Sequence, residues 1–339
     1  MLIEDLEKDL KNGNLRSLYL LYGEEKFLLE STVKKIKKLF GEMIQGINFI
    51  MIDESNVENI ILDLETPAFG FEKKLIIAKN TGLFKREGRK KVKKDDLNIK
   101  VKLLNYLKDN FNDIKQEIVL IFIDDDAEKS DLLKFIDENG VVCNFEYQKP
   151  NKIAARLKAI ANVYKVNIDN YTLSYLIECC GTNMQDLINE IRKLIEYAGE
   201  NGTITKDDID NLCIKKIESV IFDLTDSLGK KETKTAINVL RNLILAKEPM
   251  QKILITLYNH FRKLYLVKLA LKENKDIKIT LDLKPNQTFL VNKYKTQAGY
   301  FKAQEIRIIL KELCDLDYKY KVGLIDLNVG FEAVICAYC

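Results

Sequence analysis

The sequence predicts two architectures in one chain: an α/β domain with a mostly parallel sheet over residues 1–149, and helices alone beyond it. Three observations carry this. Short apolar runs alternate with helical patterns as far as residue 147, the strand signal then stops, and Pro150 stands at the change.

Taken in order, LYLLYG (18–23), INFIMID (47–53), LIIAKN (75–80), IVLIFID (118–124) and VVCNFEY (141–147) read as strands. Nearly all are continuously apolar, as strands covered on both faces must be. In FLLESTVKKIKKLF, Leu29, Val33, Ile36 and Phe40 recur at steps of four, three and four, which lines one helix face. Strands and helices in this alternation give βαβ units and a parallel sheet. The residue before a proline is biased out of the helical region, so 149/150 reads as a boundary. From 150 to 212, helices are predicted around IAARLKAIANVY and MQDLINEIRKLIEYAG, the second with Met184, Leu187, Ile191, Leu194 and Ala198 as its apolar stripe. Gly199 and Gly202 end it, and TKDDIDNL opens a short further helix. Residues 213–339 are expected to hold four or five longer amphipathic helices, one running through Leu254, Leu257, Phe261, Leu264 and Leu271. No internal repeat is visible.

With 339 residues, 47% of them apolar, the chain can bury a large core. Its 54 basic and 51 acidic residues leave a net charge of +3, too balanced to drive nucleic-acid binding in bulk. The seven cysteines show no His/Cys spacing suited to zinc and read as reduced thiols of a cytoplasmic protein. No apolar run approaches the roughly 20 residues that span a bilayer. The single histidine, His260, lies in a helical pattern, LYNHFRKLY, and is expected to take a surface or hydrogen-bonding role. Histidine-based catalysis is thereby disfavoured.

An apolar strand running through a glycine into a helix is where a nucleotide-binding protein carries its phosphate loop, GxxxxGK[ST]. The glycines let backbone N–H groups wrap the phosphates, the lysine neutralises them and the hydroxyl holds magnesium. From Gly23 this chain reads G-E-E-K-F-L-L-E, so Leu28, Leu29 and Glu30 stand where the second glycine, the lysine and the hydroxyl belong. No nucleotide, metal or other cofactor is expected. IVLIFIDDD (118–126) resembles a magnesium-positioning strand end, but without that lysine and hydroxyl Asp124 to Asp126 read as a turn and helix N-cap.

Several further stretches carry a family resemblance: ETPAFGFEKKLIIAKN (65–80), GTNMQDLINEIRKLIEYAG (181–199), IFDLTDSLGKKETKTAINVLRNLI (221–244) and DYKYKVGLID near the end. Together with LYLLYGEEKFLLE, in this order and spacing, they resemble the delta subunit of the bacterial DNA polymerase III clamp loader over essentially the full length. The resemblance implies an AAA+-type (RecA-like) α/β domain without a working phosphate loop (1–149), a small helical lid domain (150–212) and a helical collar domain (213–339). It implies a subunit of the polymerase holoenzyme with no catalytic site of its own. That subunit binds the sliding clamp and helps hold it open for loading onto primed DNA, with the ATPase subunits and delta-prime as partners. In active relatives the lid helix carries an arginine for the γ-phosphate, where this chain has Gln185 after Met184.

The clamp-binding element falls on Pro67, Ala68, Phe69, Gly70 and Phe71, where proline and glycine put both aromatics on a turn. Gly70 separates the two rings, and which of them enters the clamp pocket stays open. KREGRKKVKK supplies Lys85, Arg86, Arg89, Lys90, Lys91, Lys93 and Lys94 as candidate DNA contacts, with a solvated loop as the alternative. Two other functions are compatible with parts of the sequence: an active AAA+ ATPase with an aberrant nucleotide site, and a free-standing DNA-binding module.

Overall fold

The structure, a computed structural model, describes residues 1–85 and 94–338. The chain divides into two compact units, Met1–Tyr147 and Gln148–Cys339.

The first unit runs α1 (Ile3–Lys11), β1 (Leu18–Tyr22), α2 (Lys26–Phe40), β2 (Phe49–Ile52), α3 (Ile60–Glu65), β3 (Lys74–Lys79), α4 (Lys94–Glu117), β4 (Ile118–Asp124), α5 (Asp131–Asn139) and β5 (Val141–Asn144). All five expected strands form, β4 over the expected residues, β3 shifted back by one and β1, β2 and β5 shortened, and they pair in parallel in the order β2-β3-β4-β1-β5. This is the expected AAA+-like parallel arrangement. Alternate residues point to opposite faces. Leu18, Leu20, Ile76, Ala78, Leu120 and Phe122 pack in one cluster with Leu64 of α3, Leu103 and Leu107 of α4 and Ile136 of α5. Tyr19, Leu21, Leu75, Ile77, Val119 and Ile121 between them are also buried. Coverage on both faces explains why β1, β3 and β4 are continuously apolar. The outer strands β2 and β5 are only partly covered.

The second unit is helical throughout: α6 (Pro150–Val163), α7 (Asn170–Cys180), α8 (Met184–Ala198), α9 (Lys206–Leu212), α10 (Ile217–Gly229), α11 (Thr233–Leu245), α12 (Met250–Lys272), α13 (Ile277–Thr280), α14 (Leu290–Tyr300), α15 (Ala303–Lys321) and α16 (Leu327–Tyr338). Pro150 takes the first helical position, where its missing N–H costs nothing. Asp169, Asn183 and Thr205 cap α7, α8 and α9, their side chains accepting from the backbone N–H three residues on. Helix α7 escaped the sequence reading, and among the described residues the part beyond 213 holds six long helices rather than four or five, because several are joined by loops of only a few residues. One apolar cluster extends from Ile217 to Ile335, with Leu257, Phe261 and Leu264 of α12 at its centre. The covered face of α12 turns toward Val267 and Ala270 near its end, where α13 meets it, and leaves Leu271 exposed.

His260 is buried rather than on the surface. Its Nε2 lies 2.7 Å from Gln297 Oε1, and Gln297 Nε2 donates to the Phe222 carbonyl and to Asp226. Burial pulls the imidazole down to about 4, so it is neutral at physiological pH and serves the core. Among the described residues no helix is long and apolar enough to cross a membrane.

Candidate binding turn and degenerate phosphate loop

An open parallel sheet normally receives ligands at the carboxyl ends of its strands, where successive connections leave in opposite directions. Here that point is the edge shared by β1 and β4, and the chain has closed it. The Gly23 N–H donates to the Asp124 carbonyl at 3.3 Å, the Glu25 N–H to the Phe145 carbonyl at 2.8 Å and the Lys26 N–H to the Glu24 carbonyl at 3.0 Å. Donors that would wrap a phosphate are thus spent on backbone. Gly23 has φ +128°, and a Cβ there would stand 2.5 Å from the Phe145 oxygen, so the segment leaving β5 lies directly on the loop. Leu28 and Leu29 are buried on α2, while Glu30 is exposed beside a groove of about 460 Å³ that Lys26, Lys79, Ile123 and Asp125 also line.

The acids closing β4 differ from one another. Asp124 is 4% exposed, and its Oδ2 has no hydrogen-bond partner. Burial pushes its carboxyl up to about 7 against the opposing pull of Lys85, with Asp125 adding to the rise and Lys26 countering it. Asp125 pairs with Lys26 at the surface, and Asp126 accepts the Ala127 N–H. None of the three caps a helix: Ser130 caps α5, accepting from Leu133. The N-cap reading of these acids is therefore corrected, because the chain runs on through four more residues before α5 begins.

At the opposite edge, α3 ends at Thr66, whose hydroxyl donates back to the Leu62 carbonyl. Residues 68–71 form a turn closed by the Phe71 N–H on the Ala68 carbonyl at 2.7 Å. Gly70, third in that turn, has φ +81°, the type II geometry that glycine adopts without strain. Phe69 is 69% exposed and Phe71 is half-buried. Pro67 and Gly70 are exposed and Ala68 is half-buried.

One residue that holds this turn went unrecognised in the sequence. Lys74, the first residue of β3, is buried, and its Nζ donates to the carbonyls of Asp63 at 2.6 Å and Thr66 at 3.0 Å. The ammonium thereby satisfies the open C-terminal end of α3 and ties it to the strand that follows the turn. A lysine heading an otherwise apolar strand, eight residues after a helix end, was the available signal.

Of the basic run, Lys85 is exposed and lies 3.6 Å from Glu54, also exposed. Arg86, Arg89, Lys90, Lys91 and Lys93 lie outside the described residues, and Lys94 enters only as the backbone start of α4. In the second unit, Gln185 is on the first turn of α8, bonded to Asn189. The structure also brings together Cys180, Glu190 and Cys213, a grouping that sequence spacing hid.

A family described as "DNA polymerase III, delta subunit" matches residues 19–146, and its "C-terminal domain" counterpart matches residues 218–338. The chain belongs to the DNA polymerase III delta-subunit family. The delta subunit of Bacillus subtilis is 25% identical over 98% of this chain and 95% of its own. A "Probable DNA polymerase III subunit delta" of Aquifex aeolicus is 28% identical over 88% and 85%. The solved Bacillus subtilis "DNA clamp loader delta protein" shares the delta fold, with a TM-score of 0.75 at 22% identity over 99% of both chains.

Proposed function

We propose that this delta-family chain grips the sliding clamp within the clamp loader, using the turn at 67–71, and biases the ring toward its open form without hydrolysing ATP. The observation that carries the proposal is a large aromatic, Phe69, exposed on a turn whose shape is fixed by Pro67, Gly70 and the buried Lys74. Such an anchor loses little entropy on binding and suits an apolar pocket on a partner. Phe69, the more exposed ring, is assigned to that pocket, with Phe71 packing at its rim.

The occupied loop amides and buried Leu28 and Leu29 support a role without nucleotide. Binding shifts a ring between closed and open only by the difference in its affinity for the two forms, so hydrolysis here is not required. We further propose that residues 150–212 act as the lid and 213–339 as the collar that joins the ATPase subunits and delta-prime.

The test is a titration of the chain with purified sliding clamp in the absence of ATP. Losing one such anchor, at about 2 kcal/mol, should cost Phe69→Ala roughly thirtyfold in affinity. Phe71→Ala should cost less. Unchanged affinity in the double variant, with its helical circular dichroism intact, would overturn the assignment.

A further inference from the structure

We propose that Cys180, Glu190 and Cys213 form a binding site for a thiophilic divalent cation of the zinc class. The site lies wholly within the helical unit and is independent of the clamp-binding reading.

Three separate segments deliver the ligands: Cys180 ends α7, Glu190 sits midway along α8, and Cys213 follows α9. Their two sulfurs and a carboxylate oxygen all lie within 4.8 Å of one another. A tetrahedral ion bound at about 2.3 Å by sulfur and about 2.0 Å by oxygen spaces its ligand atoms roughly 3.5 to 3.8 Å apart. The three atoms therefore need to draw in by roughly 1.0 to 1.3 Å at most to share one shell. Cys180 is buried and Cys213 is half-buried.

The surroundings fit an ion better than three neutral groups. Glu190 is 9% exposed, and a carboxylate so enclosed needs orienting partners. Lys193 Nζ lies 2.6 Å from its Oε2, and the Ile214 N–H donates to the same oxygen at 3.4 Å. Lys193 also donates to the Leu212 carbonyl at 3.3 Å, which ties α8 to the segment carrying Cys213. This is the outer support that metal-bound carboxylates receive. Two thiolates and a carboxylate bring three negative charges, which a divalent ion and the Lys193 ammonium together cancel. Two thiolates select a zinc-like ion over magnesium or calcium, which take oxygen ligands.

The experiment uses the full chain, reduced and stripped with a chelator, then titrated with Co²⁺. One ion should bind per chain, with a sulfur-to-cobalt charge-transfer band in the near ultraviolet and the intense visible bands of a tetrahedral site. Zn²⁺ should bleach both. Cys180→Ser and Cys213→Ser should each lose the charge-transfer band, whereas Cys179→Ser, adjacent in sequence but outside the cluster, should keep it. Glu190→Gln, which preserves shape, should weaken binding, and Lys193→Ala should weaken it about 10- to 100-fold. Far-ultraviolet circular dichroism of each variant checks the fold. Absence of a sulfur band in the native chain, or its survival in the Cys180→Ser/Cys213→Ser double variant, would overturn the proposal.

Discussion

Replacing Asp124 with asparagine changes how stability depends on pH, in a direction set by the surroundings of the carboxyl. The group is 4% exposed with an unpartnered Oδ2, and burial raises it to about 7. In an unfolded chain an aspartate titrates near 3.9. Between about pH 4 and pH 7 the folded chain therefore keeps a proton that the unfolded chain has released, and stability falls as pH rises. The stability this proton contributes is fully present below about pH 4 and is lost as the pH passes 7. Three pH units at about 1.4 kcal/mol each amount to about 4 kcal/mol, of which about 2 kcal/mol falls between pH 5.5 and pH 8. Asparagine cannot ionise. Relative to the native chain, Asp124→Asn should gain about 2 kcal/mol from pH 5.5 to pH 8, whatever constant cost its amide carries. Other groups titrate in both chains and cancel in the difference. Urea unfolding of both proteins at the two pH values, followed by circular dichroism, reads this directly. A difference independent of pH, or one of opposite sign, would mean that Asp124 is an ionised acid in the folded chain. That is the state a magnesium-holding residue requires, and it would revive the ATPase reading.

Two further substitutions probe the opposite edges of the sheet. Gly23→Ala places a Cβ 2.5 Å from the Phe145 oxygen at φ +128°, and should destabilise the chain by about 3 kcal/mol in urea unfolding; a loss below about 1 kcal/mol would show that the loop is not pinned by the segment after β5. Lys74→Met removes the two bonds that tie α3 to β3 while leaving Phe69 in place, so clamp affinity should fall and amide exchange at Phe71 should quicken. Unchanged values of both would show that the turn keeps its shape without the buried ammonium.

The sheet was legible because burial on both faces narrows the choice of residue: in IVLIFID the first six positions are apolar, and all seven residues are buried in β4. The departure from the phosphate-loop pattern was legible because that chemistry depends on named residues at fixed spacing, and Leu28, Leu29 and Glu30 stand in place of the glycine, the lysine and the hydroxyl. The Phe69 turn was legible through Pro67 and Gly70, which announce backbone geometry locally. What stayed hidden depends on residues far apart in the chain. Lys74 looks like a surface lysine until the carbonyls ending α3 are placed beside it. Cys180 and Cys213 look like isolated thiols until α7, α8 and α9 pack. His260 was placed on its helix by periodicity, but its partner Gln297 comes from α14, and nothing local to LYNHFRKLY reports that burial.

The geometry of a parallel sheet separates the proposed grip from the phosphate-loop position on the same scaffold. All five strands point one way, so the turn at 68–71, which leads into the start of β3, and Gly23, which follows the end of β1, lie at opposite edges. A strand the length of β3, six residues at about 3.3 Å each, sets them roughly 20 Å apart. Filling the loop edge with Leu28, Leu29 and the Phe145 carbonyl therefore leaves the turn edge untouched. Between the two edges lies a sheet whose central strands are buried on both faces, a body too closely packed to deform gradually. A binding turn held on such a body by Lys74 needs no energy source at the other end to keep its shape. Under the proposed function it would work as a fixed grip, with any ATP-driven movement supplied by other subunits.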